Sequence, residues 1–244
     1  VEKSYGKRGS EVVERNFKAI ELTLANLHEV KVPSVLGAGT PRPPAVPREA
    51  PEFVQRVTQM MMRGEGDLLP VSAFPVDGTW PTGTTRFERR AIALELPTWD
   101  EKLCIQCNKC SLICPHAAIR SQLVDPAAMK SAPSTFLATD FKSKDLGTAP
   151  SGGVWKYALQ VAPDDCTGCG LCVQVCPARD KSNPRHKAID MNPVEPIREK
   201  ERANWAFFEQ LPYVDRTRVK DDVKATQFLE PLFEFSGACS GCGE

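Results

Sequence analysis

Cys104-Ile-Gln-Cys107-Asn-Lys-Cys110-Ser-Leu-Ile-Cys114-Pro115 and Cys166-Thr-Gly-Cys169-Gly-Leu-Cys172-Val-Gln-Val-Cys176-Pro177 decide the reading of this chain. Each run spaces its cysteines as C-x2-C-x2-C-x3-C and closes on proline. Eight of the ten cysteines lie in these runs, and the other two in Cys239-Ser-Gly-Cys242. Five disulfides in a secreted protein is the plain alternative. It does not suit 244 residues, enough to build a core, with no secretory segment and with cysteines in tight runs. Such runs in a reducing compartment are metal ligands.

The spacing is that of bacterial two-cluster ferredoxins, in which the fourth cysteine of each run serves the other cluster. Two 4Fe-4S clusters are therefore expected, one held by Cys104, Cys107, Cys110 and Cys176, the other by Cys166, Cys169, Cys172 and Cys114. A loop with a cysteine at every third position curls around three irons with its amides turned inward. The fourth ligand comes from another direction, past a short turn. Pro115 and Pro177 fix the chain's exit without leaving an amide unpaired. Gly168 and Gly170 permit tight backbone turns beside the cluster. Zinc sites instead set C-x2-C pairs in separate places.

The two runs form an internal repeat, for Lys187-Ala-Ile189 after Cys176-Pro177 answers Cys114-Pro-His-Ala-Ala-Ile119. The expected fold is α+β, a ferredoxin-like domain over residues 100–200 with a pseudo-twofold βαβ repeat. Fifty-one residues separate Cys114 from Cys166. The stretch from about 121 to 155, with Pro126, Pro133, Pro150 and Gly152-Gly153, reads as an arm or flap over the domain or a partner.

Outward from the runs, periodicity places an amphipathic helix at 11–28, with Ser10 as its cap and Val13, Phe17, Ile20, Leu24 and Leu27 as an ordinary core stripe. Residues 4–9 read as a turn. Residues 1–32 are then a helical end of a preceding domain, and 33–99 a Pro/Gly-rich linker containing Pro33, Pro41, Pro43, Pro44, Pro47 and Pro51. A short helix is expected at 52–63 through Phe53, Val57, Met60 and Met61. Another is expected at 198–211 with Trp205, Phe208 and Leu211 on one side, opening a connecting segment over 201–236. His116 and His186 read as surface residues, since both runs already hold four thiolates.

Lys+Arg and Asp+Glu both number 31, so no basic excess points to nucleic acid or an anionic membrane. At 41% hydrophobic and 25% charged residues, the chain is globular in composition. No apolar run has the ~18 residues of a membrane span, and a cytoplasmic location is expected. Both ends read as cuts in a longer polypeptide.

Gly6-Lys-Arg-Gly9, Leu69-Pro-Val-Ser-Ala-Phe-Pro75, Pro81-Thr-Gly-Thr84, the first cysteine run and Phe233-Glu-Phe-Ser-Gly-Ala-Cys239-Ser-Gly-Cys242-Gly-Glu244 together resemble pyruvate:ferredoxin (flavodoxin) oxidoreductase, in order along essentially the whole chain. The resemblance implies the central part of a cytosolic homodimer that converts pyruvate and coenzyme A to acetyl-CoA and carbon dioxide. Thiamine diphosphate with magnesium does the carbon chemistry, and electrons pass to ferredoxin or flavodoxin. It further implies that Cys239 and Cys242 are two ligands of a third 4Fe-4S cluster, at the start (237–244) of a thiamine-diphosphate domain whose remaining residues lie outside this chain. Four-thiolate ligation with few nearby cations implies potentials at the low end of roughly −700 to +450 mV. The alternative is a standalone two-cluster carrier or docking subunit. A Gly-Asp-Gly motif and further cysteines in the downstream codons separate the two readings.

Overall fold

The computed structural model describes residues 1–32, 34 and 44–235. Cys239 and Cys242, and Pro33, Pro41 and Pro43 of the expected linker, lie outside the described residues. The chain divides into two compact units, Val1–Pro43 and Pro44–Glu244.

The first unit holds α1 (Glu2–Tyr5), a 3-10 turn (Gly6–Arg8) and α2 (Ser10–Ala25). Three expectations change here. Residues 4–9 are largely helical rather than a turn. Ser10 lies inside α2, whose cap is Gly9 with no side-chain cap bond. The apolar stripe is not core: Phe17 is 43% and Leu24 67% exposed. Periodicity specifies that a face is apolar, but a covering surface has to come from elsewhere in the fold.

In the second unit a π-helical turn (Val54–Thr58) runs into α3 (Gln59–Met62). Val46, Ala50 and Val54 make a small core there, with Met62 and Phe87 against it. The expected linker is thus packed from Pro44 onward within this unit. The central elements follow in the order β1 (Glu95–Trp99), α4 (Lys109–Ile113), β2 (Ile119–Val124), β3 (Thr139–Asp140), β4 (Lys156–Val161), α5 (Leu171–Val175) and β5 (Ile189–Pro193). β1 pairs antiparallel with β5, and β2 with β4. The registers correspond: Trp99 faces Ile189 in one pair, and Val161 faces Ile119 in the other. The architecture is α+β.

The 121–155 stretch is built into the unit rather than standing off as a flap. β3 adds to the edge of β4, and Phe136, Phe141 and Trp155 are buried. Aromatic side chains this large bury too much apolar area to stay in solvent. Phe141 meets Phe228 edge-on at 5.5 Å between ring centroids. The expected boundary at residue 200 falls inside packed structure. α6 (Arg198–Phe208) sends Trp205 and Phe208 into a core with Ala118, Val124, Ala158, Leu211 and Phe235. α7 (Val223–Thr226) follows, with Asp222 capping it through the Ala225 amide. Among the described residues no helix is long and apolar enough to cross a membrane.

Candidate metal centre

Both cysteine runs adopt the same local geometry. Gln106 and Gly168, each two residues after the first cysteine, have φ of 56° and 70°, and each donates its amide to that cysteine's sulfur, at 3.3 Å and 3.4 Å. Asn108 (φ 60°) and Gly170 (φ 73°) then turn left-handed and open α4 and α5. Both helices stop at the fourth cysteine in extended backbone, Cys114 at −67°/114° and Cys176 at −66°/118°. The exit redirects the fourth sulfur, as expected from the proline that follows. Gly168 is required twice over, by its φ and because a Cβ there would lie 3.2 Å from the Glu95 carbonyl oxygen.

The eight thiols of the two runs are free. Burial pushes up the Cys104 and Cys110 thiols. It also raises Cys166 to about 11 and Cys172 to about 12. Their electrostatic neighbours divide into two sets. Cys104 lies in the field of Cys107 and Cys176, and Cys110 in that of Cys104, Cys107 and, across the boundary, Cys172. Cys166 lies beside Cys114 and Cys169, and Cys172 beside Cys166, Cys114 and Cys169. Cys176 of the second run thus lies near Cys104, and Cys114 of the first near Cys166 and Cys172. Cys114, Cys166, Cys169 and Cys172 line one apolar pocket with Pro97, Ile119 and Met191.

Among the described residues no three His, Cys, Asp or Glu side chains converge closely enough for one metal ion. A zinc ion needs every sulfur about 2.3 Å from a single point. Eight soft thiols in two matching loops, with amides turned onto the sulfurs and an apolar pocket beside them, fit a pair of 4Fe-4S clusters. Burial disfavours the thiolates of Cys104, Cys110, Cys166 and Cys172, so cluster assembly must release protons there.

Three features escaped the sequence reading. Gln106 is 0% and Asn108 2% exposed, and both are tied into the fold. Gln106 Nε2 donates to Thr139 Oγ1 at 3.0 Å and to Asp140 O at 2.9 Å, while its Oε1 accepts from the Lys142 amide at 2.9 Å. Asn108 Nδ2 donates to Lys224 O at 2.8 Å. The signal was present, because these residues occupy the places of Gly168 and Gly170 in the repeat. His186 is not a bystander: its Nδ1 lies 2.7 Å from Asp190 and its Nε2 3.0 Å from Asp100. It thereby ties the approach to Cys104 to β5. Arg120 is the third. It is buried, pairs with Glu234 at 2.7 Å, and lies over the Trp205 and Phe235 rings.

Residues 103–179 match a family described as the 4Fe-4S dicluster domain, and residues 40–93 match one called EKR, a domain of unknown function. The chain carries a 4Fe-4S dicluster domain. It is 50% identical to the putative pyruvate-flavodoxin oxidoreductase of Synechocystis sp. over 246 residues, which is 100% of this chain and 20% of that relative. It is likewise 50% identical to the probable pyruvate-flavodoxin oxidoreductase of Escherichia coli, over 245 residues with the same coverage. The pyruvate:ferredoxin oxidoreductase of Moorella thermoacetica is 45% identical over 242 residues, 99% of this chain and 20% of that relative. End to end, the chain corresponds to one segment of the pyruvate-flavodoxin oxidoreductases, and it spans about a fifth of their length.

Proposed function

We propose that this chain is the electron-transfer segment of a 2-oxoacid oxidoreductase acting on pyruvate, with ferredoxin or flavodoxin as the acceptor. The observation that carries the reading is Cys114 of the first run lining one apolar pocket with Cys166, Cys169 and Cys172 of the second. In this reading Cys104, Cys107, Cys110 and Cys176 hold one cluster, and Cys166, Cys169, Cys172 and Cys114 hold the other. When bound, the clusters supply one-electron redox chemistry at potentials that thiolate ligation and N–H···S bonds set. The chain holds the ligands in two matching loops, with Cys104, Cys110, Cys172 and Cys176 buried and Cys169 open to solvent. The corresponding registers of β1–β5 and β4–β2 support a pseudo-twofold βαβ repeat, which brings each fourth cysteine across to the other set.

Cys239 and Cys242 are read as two ligands of a third 4Fe-4S cluster next to a thiamine diphosphate–magnesium site in the remaining domains. In support, the Phe235 amide, four residues before Cys239, donates to His116 O at 2.8 Å, close to Cys114. The complete protein is read as a cytoplasmic homodimer.

The test is iron and acid-labile sulfide on the anaerobically reconstituted chain, with about eight of each expected. Zinc, or sulfurs bonded to one another, would defeat the reading. For the whole enzyme, pyruvate- and coenzyme A-dependent reduction of ferredoxin or flavodoxin is the assay.

A further inference from the structure

We propose that Lys142 makes the set formed by Cys104, Cys107, Cys110 and Cys176 the better electron acceptor of the two. The inference rests on the cluster reading above and gives the long insertion a task. Lys142 Nζ donates to the carbonyl oxygen of Cys104 at 2.6 Å. Its backbone amide is held by the buried side chain of Gln106, which also grips Thr139 and Asp140. The end of β3 is thus locked against the first cysteine loop, and an ammonium group is fixed beside one ligand. Among the described residues Lys142 makes no ion pair with a carboxylate. A fixed positive charge stabilises whichever state of its neighbour carries one more negative charge, here the reduced one. The expectation of few nearby cations is corrected at this set.

Among the described residues no lysine donates to the carbonyl of Cys166, the matching cysteine of the second run. Gly168 stands in the place of Gln106, and the backbone of Ala93 and Glu95 lies against it instead of a lysine-bearing strand. Lys187 Nζ donates to Val173 O at 2.6 Å, inside α5 and not to the carbonyl of a cysteine. Among the described residues Lys142 is the lysine that donates to a cysteine's own carbonyl.

Titration of the full chain with dithionite, followed by electron paramagnetic resonance, tests this. Each cluster takes one electron from the titrant, and no bond in the protein forms or breaks. In Lys142→Met one of the two potentials should become more negative while the other stays, and Lys142→Arg should restore it. In the unsubstituted protein, added salt should shift the same potential more than its partner. Two unmoved potentials, or two that move together in both experiments, would overturn the proposal. Fewer than about eight irons in the unsubstituted chain would instead defeat the cluster reading on which it rests.

Discussion

The hydroxyl of Tyr157 donates a 2.9 Å hydrogen bond to the Oδ1 of Asn108, joining the start of β4 to the left-handed residue that opens α4. Tyr157 is 0% exposed, and burial holds its phenol well above the usual range, so it remains a neutral donor. Tyr157→Phe leaves the Asn108 oxygen buried without that donor. A loss of about 1–3 kcal/mol is expected in chemical denaturation, with an unchanged iron content.

Gly168→Ala tests the close approach of the second loop to β1. The new side chain adopts a left-handed φ, at about 1–2 kcal/mol, and meets the Glu95 carbonyl. Faster loss of iron from this variant than from Gly147→Ala, where a Cβ meets open space, is the expected outcome. Visible absorbance followed over time measures it.

The crossing of the fourth ligands separates two otherwise similar substitutions. Cys176→Ser should perturb the cluster held by Cys104, Cys107 and Cys110, and Cys114→Ser the other. Electron paramagnetic resonance of the two variants should therefore show different surviving signals. If each substitution abolishes the signal of its own run instead, the assignment is reversed.

Glu234 joins Arg120 and Arg86, at 2.7 Å and 2.8 Å. Burial alone would raise the Glu234 carboxyl, but the two guanidinium groups outweigh it and hold it below the usual range. Glu234→Gln leaves the buried Arg120 cation without its carboxylate, although Ala117 O still accepts from its Nε. The expected destabilisation is about 3 kcal/mol, read as a lower denaturation midpoint. Glu234→Gln combined with Arg120→Met should recover part of it.

His186 gives the fold a pH dependence with a definite sign. Hydrogen bonds to Asp100 and then Asp190 raise its folded pKa. Its contribution is complete below the unfolded value of about 6.5 and is lost as pH rises through the folded one. Burial would raise Asp100, but the His186 bond and the Leu103 and Lys102 amides leave it lowered. That part is present above about pH 3.9 and is lost as pH falls through the depressed value. Asp180 also lies in the field of the ring. Denaturation midpoints of the unsubstituted chain should fall on the alkaline side, and His186→Gln should flatten that limb.

The cysteine spacing by itself determined the metal chemistry, the dicluster class and the α+β layout, because thiolate spacing and the proline that follows are local constraints. Gly168 and Gly170 were legible for the same reason, since a left-handed turn next to a ligand leaves its mark within a few residues. Tertiary structure decided what covers the loops. Gln106 and Asn108 looked like ordinary spacer residues until strands and segments from distant sequence supplied their hydrogen-bond partners. The apolar stripe of α2 stayed exposed, and the insertion was packed rather than free. Lys142 came to rest on the Cys104 carbonyl. Burial and charge placement depend on which surfaces meet, and spacing along one chain does not specify that.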